Sequence, residues 1–143
     1  MELDAEIAAA VRESFERQTF MATLGATLER VAYGTVEIAL TPSQLLAQQH
    51  GYVHAGALVS ILDSACGYAA YSAADGEADV LTIEYKINLL APARGDRFVA
   101  RGRVVRRGGR ITVCRGDAYA YDGDEETHVA TSTTTMSVRA RDG

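Results

Sequence analysis

Between Ala55 and Ala73 the chain carries its longest stretch of apolar residues at helical spacing, and that stretch is apolar nearly all round. Leu58, Ile61, Leu62, Ala65 and Ala69 recur at threes and fours, while Ala57, Cys66, Gly67 and Ala70 keep the remaining surface small or apolar. A helix without a broad polar face has to be enclosed by other elements. The rest of the chain supplies strands for that purpose. Leu24 to Ala32 reads as extended, Tyr33-Gly34 as a turn, and Val36, Ile38 and Leu40 alternate with Thr35, Glu37 and Ala39, a β-hairpin pattern. Thr41-Pro42-Ser43 ends the second strand, because proline cannot continue a ladder.

Four more strand-like runs follow the Asp75-Gly76 turn. Leu81, Ile83, Tyr85, Ile87 and Leu89 alternate in the first, which stops at Ala91-Pro92-Ala93. Arg97 to Arg107 and Arg110 to Tyr121 flank Gly108-Gly109, a hairpin signal, and Thr127 to Val138 is β-branched and Thr-rich. Ahead of all this, Leu3, Ile7, Val11 and Phe15 recur every four residues and predict an amphipathic helix within residues 1–20. Strands in hairpin series imply an antiparallel sheet. The expectation is a single α+β domain over 1–143, an antiparallel sheet wrapped around one long central helix.

Composition excludes several classes. No apolar run approaches the ~18 residues of a membrane span. The Ala-rich opening is flanked by Glu2, Asp4, Glu6 and Glu13, the wrong charge for a secretory leader. Cys66 and Cys114 lie in apolar segments without metal or redox spacing, and read as reduced thiols of a cytoplasmic protein. Net charge is −5, yet Arg94 to Arg115 holds eight Arg against one acid, Asp96. Arg97, Arg101, Arg103 and Arg107 are expected on one strand face. An acidic chain without interleaved exposed aromatics argues against nucleic acid as the partner of this stripe. A small polyphosphate ligand, acidic residues in an oligomer, or solvent remain as its counterpart.

The densest chemistry is Gln48-Gln49-His50-Gly51-Tyr52-Val53-His54-Ala55-Gly56, followed by Asp63. Asp63 falls mid-way along the apolar helix, where a carboxylate is costly unless paired or working as a base. Ala55 and Gly56 open that helix, and their N–H groups lack intrahelical acceptors at the positive end of its dipole. A developing oxyanion is stabilised by such groups. His50 and His54 precede the helix without a third ligand at suitable spacing, so no metal is expected. The chain has no Gly-x-Ser-x-Gly elbow, and neither Cys has a neighbouring base.

The His54-Ala55-Gly56 run, with Gly51 before it and Asp63 after it, resembles the HGG-type loop and helix of hotdog-fold acyl-CoA thioesterases, phenylacetic-acid-degradation type. Thr82 to Ala93 is similar to that family's third strand with its closing Pro-Ala, and Arg107-Gly108-Gly109-Arg110 to its next hairpin. The resemblance spans residues 20–138. It implies a hotdog fold, hydrolysis of an acyl-CoA-like thioester, and Asp63 as general base or nucleophile. It further implies that the Ala55 N–H polarises the carbonyl, that Gln48 stands where Asn is common, and that Thr82 positions water. Ala55 for Gly retains the N–H but adds a methyl, and Gln48 is one methylene longer than Asn.

His54 is expected to orient the loop, Gly56 and Tyr68 to border the substrate, and Arg107, Gly109 and Arg110 to take the coenzyme A phosphates. No cofactor beyond that CoA is expected. On one regular helix Asp63 and Ala55 stand about 12 Å apart, too far to serve one carbonyl. Two antiparallel helices across a two-fold axis would join them, so a homodimer or dimer of dimers is expected. Hydration or dehydration of an acyl thioester, using His54 with Asp63, and non-catalytic binding of acyl-CoA are the competing readings.

Overall fold

The computed structural model describes residues 1–141. Its centre is α3 (Ala55–Ser72), with Ile61, Leu62, Ala65, Cys66 and Ala69 fully buried. Around it curves one antiparallel sheet, built from β1 (Ala26–Ala32), β2 (Thr35–Leu40), β3 (Ala78–Leu89), β4 (Arg97–Arg107), β5 (Ile111–Asp122) and β6 (Glu125–Ala140). The strand order is β1-β2-β4-β5-β6-β3, which leaves β1 and β3 as edges. This is the expected hotdog arrangement, a sheet wrapped on a helix.

Two glycines let the helix lie deep in the sheet. A Cβ on Gly102 of β4 would stand 2.6 Å from the Cys66 backbone nitrogen and press on the Ala65 carbonyl. A Cβ on Gly116 of β5 would meet Cys66 Sγ and Leu62 at 3.0 Å. At Gly102, then, helix backbone rests directly on strand backbone.

The expected N-terminal helix over 1–20 is two helices. Helix α1 (Ala5–Arg17) is capped by Asp4, whose side chain accepts from the Glu6 and Ile7 N–H groups. It ends at Gln18 (φ −81°, ψ 92°), and α2 (Thr19–Leu24) runs on to Gly25 in the left-handed region (φ 73°). Leu24, expected to open the first strand, instead closes α2. One straight helix would keep Met21 near the stripe of Ile7 and Val11 but carry Leu24 about 100° away from it, whereas with the break all four are buried.

The strand pairing shifts register at four places, and two of these, in β3 and β4, decide where expected site residues face. Between Thr82 and Glu84, Ile83 drops out of the pairing with β6. Thr82 opposes buried Met136 and Tyr85 opposes buried Thr134, so both face the helix, whereas Leu81 faces outward. The five residues expected on one face are therefore divided. In β4 the register shifts between Val104 and Arg106, and Arg107 comes to oppose buried Thr112. Arg103 opposes Arg115 on the outer face, so Arg107 does not share a face with Arg97, Arg101 and Arg103 as expected. On that outer face Arg97 lies 3.4 Å from Glu29, Arg101 3.2 Å from Glu37 and Arg115 3.3 Å from Asp117. These arginines answer acids of their own sheet.

Candidate active site

The loop before α3 is fastened at both ends. The His54 N–H donates to the Leu46 carbonyl at 2.7 Å, and the Val53 N–H to that of Ala93, just beyond Pro92, at 3.1 Å. Gly51 turns the loop at φ 85°, a conformation that favours glycine. Gln48 folds inward, its side-chain oxygen accepting from the His50 N–H. His54 is the N-cap of α3, and its Nδ1 accepts from the Gly56 N–H at 2.8 Å. A Cβ on Gly56 would lie 2.9 Å from that nitrogen, so the cap depends on glycine there.

The Ala57 N–H donates to the His54 carbonyl. Among the described residues the Ala55 N–H has no acceptor. The first turn therefore presents one open donor, that of Ala55, at the positive end of an 18-residue helix. Gly56, expected to border the substrate, gives its N–H to His54. Gln48, His54 and Ala55 share a cavity of about 570 Å³ with Leu58, Leu89 and Leu90.

Further along the helix, Asp63 is half-buried, and Thr82 Oγ1 donates to its Oδ1 at 2.7 Å. Thr82 Oγ1 also lies 3.5 Å from Met136 Sδ. Asp63, Thr82 and Tyr68 line a second cavity, of about 440 Å³, under α1. The Tyr68 hydroxyl lies 3.1 Å from Ser14 Oγ and accepts from Gln18 Nε2 at 3.4 Å, and burial pushes the phenol up from its ordinary value. Ser64 Oγ donates to Gln18 Oε1 at 3.1 Å. Ser14, Gln18 and Ser64 did not stand out in the sequence. Ser64 adjoins Asp63, but nothing local around the end of α1 signals that Gln18 reaches across to α3.

The third group is remote from both. The Arg107 guanidinium pairs with Asp75, just past the end of α3, and Asp75 together with Tyr33 holds it above the usual arginine range. Gly109 faces open space, and the Arg110 carbonyl accepts from the Val138 N–H at 2.8 Å. The expected site residues thus fall into three groups: Gln48, His54 and Ala55; Asp63, Thr82 and Tyr68; and Arg107, Gly109 and Arg110. In one copy of the chain the first two groups are separated by the eight-residue rise from Ala55 to Asp63, about 12 Å. Cys66 and Cys114 are buried, which pushes their thiols up to about 11 and about 12. Neither is poised as a nucleophile. Among the described residues no three His, Cys, Asp or Glu side chains are grouped to hold a metal ion, and no helix is long and apolar enough to cross a membrane.

Comparison with known proteins agrees with this fold. The family model described as the thioesterase superfamily matches residues 50–127, the segment that holds Ala55, Asp63 and Thr82. A medium/long-chain acyl-CoA thioesterase of Escherichia coli, YigI, is 24% identical, with 83% of this chain and 84% of that protein covered. Among solved structures, a thioesterase family protein from Silicibacter pomeroyi is 47% identical with a TM-score of 0.91, over 94% of this chain and 99% of the other. The PaaI protein of the E. coli phenylacetic acid degradation operon shares the fold at 20% identity and a TM-score of 0.85, over 97% of this chain and 96% of that one.

Proposed function

Because the chain belongs to the thioesterase superfamily, we propose that it hydrolyses acyl-CoA-like thioesters to the free acid and CoA, at a site completed by a second copy of itself. The observation that carries this reading is the division of one helix. Its open N–H, at Ala55, and its hydroxyl-held carboxylate, at Asp63, are too far apart to serve one carbonyl. A second α3 running antiparallel would bring its Ala55 beside this Asp63. Asp63 then takes a proton from water as the water oxygen adds to the thioester carbon. The oxyanion is held by the Ala55 N–H of the other copy. Collapse breaks the carbon–sulfur bond, and the proton passes from Asp63 to the departing CoA sulfur.

The exposed edge supports such an assembly. Strand β3 has no neighbour on one side, and Leu81 (71% exposed), Ile83 (55%) and Tyr85 (50%) leave apolar surface there. A homodimer, or a dimer of dimers, would cover it. Arg107 and Arg110, with Gly109 between them, would grip the CoA phosphates, with Asp75 giving up Arg107 to the ligand. The reading requires no cofactor beyond the CoA of the substrate and suits a cytoplasmic enzyme.

The test is turnover on short, medium, long and aromatic acyl-CoAs, read as release of free thiol, with the assembly measured by sedimentation. Thiol release by a dimer or larger supports the proposal. Binding without release favours an acyl-CoA binding protein. A change in enoyl-CoA absorbance without thiol release favours hydration or dehydration.

A further inference from the structure

Two cavities meet at Asp63, and the same three residues, Gln18, Asp63 and Ser64, border both. The larger, of about 440 Å³, extends toward Tyr68, Tyr71 and Thr82. The smaller, of about 300 Å³, extends toward Val59, Ser60, Met21 and Tyr85. Gln18 stands between them. It occupies the break between α1 and α2, where a side-chain cap on α2 would be the usual use for a polar residue. No such cap is made. Its amide instead crosses to α3, accepting from Ser64 Oγ at 3.1 Å and donating to the Tyr68 hydroxyl at 3.4 Å, while Ser14 holds that hydroxyl from α1 at 3.1 Å. An amide tied at both ends to neighbouring helical residues is a wall.

We infer that Gln18 is a specificity-determining residue, a partition that confines the acyl group to the larger chamber and shuts it out of the smaller one. This rests on the thioesterase reading above. Val59 and Ser60 lie midway between Ala55 and Asp63, where the two-fold axis of the proposed assembly passes, so the smaller cavity faces the second copy. The larger one lies on the other side of Asp63, beneath α1, and is the space left for an acyl group. Neither Gln18 nor its anchors Ser64 and Tyr68 handles the reacting atoms. They set how far an acyl group extends past Asp63, and in which direction.

The experiment compares wild type, Gln18→Ala, Ser64→Ala and Tyr68→Phe across straight and branched acyl-CoAs of increasing size. Removing the partition raises the kcat/KM ratio of bulky to small acyl groups by about tenfold in Gln18→Ala. Each anchor variant shifts it about threefold in the same direction, mainly through KM. A purely structural Gln18 would lower all substrates in proportion and leave the ratio alone, which overturns the inference. Thermal unfolding of each variant identifies loss of fold, and Gln18→Met, which keeps bulk without the amide, supplies the second arm. Its ratio should fall between wild type and Gln18→Ala, and equality with wild type would show that the tethering is irrelevant. If wild type releases no thiol from any substrate, the thioesterase reading fails and this inference with it. An active wild type with an unchanged Gln18→Ala ratio defeats the partition alone.

Discussion

Thr82 Oγ1 donates a 2.7 Å hydrogen bond to Asp63 Oδ1, from the middle of an edge strand to the middle of the buried helix. The carboxylate is thereby turned toward β3 with one oxygen engaged. The bulge at Ile83 adds Tyr85 to the same face three residues later, so one strand lends Asp63 both a hydroxyl and an aromatic neighbour.

Asp63→Asn should lower thioester kcat by about two to four orders of magnitude, since the near-isosteric amide neither accepts a proton nor attacks carbon. The fold should survive, because Asn keeps an oxygen for Thr82. Thr82→Val should cost less, about tenfold in kcat, and Thr82→Ser should restore it, the pattern of a positioning hydroxyl. Steady-state kinetics on one good substrate, beside circular dichroism, checks all three. An Asp63→Asn rate near wild type would remove Asp63 from the mechanism.

Capping of α3 by His54 gives a stability prediction. Gly56→Ala places a Cβ 2.9 Å from His54 Nδ1 and should dislodge the ring, while His54→Ala removes it. Each should cost about 1 kcal/mol, as lost caps commonly do. The two should not add in the double variant, since they break the same bond. Chemical denaturation of the four proteins measures the coupling.

Mixing experiments test the proposed sharing of the site between two copies. Asp63→Asn and Ala55→Pro chains, each inactive alone, should regain activity after subunit exchange, because one of the two composite sites then has both intact halves. Proline removes the N–H that the oxyanion needs. Absence of recovery after exchange verified by mass spectrometry, with both parents folded, would place the whole site in one chain.

Arg107→Ala with Arg110→Ala should raise KM for acyl-CoA several-fold and leave kcat nearly constant, because a grip on phosphate is uniform binding. An acyl-pantetheine, which lacks the nucleotide, should barely notice the change. Losing Arg107 also frees Asp75. Equal losses on both substrates would therefore assign the arginine to the end of α3 rather than to the ligand.

Burial of the two thiols predicts an alkaline weakness. Cys66 and Cys114 are pushed from an ordinary 9.0 to about 11 and about 12 by desolvation. Below pH 9 folded and unfolded chains both keep these protons. Above it the unfolded chain loses them first, so stability falls as pH rises through about 11 and 12. Melting temperatures from pH 8 to 11 should show the decline, and Cys66→Ala with Cys114→Ala should lessen it.

The sequence reveals what local periodicity can carry. The helix from Ala55, the turn at Tyr33-Gly34 and the hairpin at Gly108-Gly109 each announce themselves within a few residues, and the strand runs follow from alternation. The bulges at Ile83 and Val105 do not, because each depends on register against a partner strand. Ile83 leaves the ladder only in relation to Met136 and Thr135, some fifty residues away. Arg107 is turned toward Asp75 for the same reason, and its alternation with Arg103 misleads. For the site, residue types and spacing expose Ala55 and Asp63, and helix geometry alone keeps them apart. The link from Gln18 to Ser64 and Tyr68 is long-range and polar, and it leaves no pattern in the residues around Gln18.

The backbone contact at Gly102 has a consequence for how such a chain can diversify. Ala65, seated against it, is two residues from Asp63, and no side chain cushions the joint. Any larger residue at 102 would lift α3 and displace Asp63 and Ala55 together. The roof over Asp63 is attached differently, through side-chain hydrogen bonds from Ser14 and Gln18 that can be exchanged one at a time. On the proposed reading, variation at Ser14 and Gln18 would retune which acyl groups are accepted while Asp63 and Ala55 keep their places. Substrate preference in this architecture is the part free to drift.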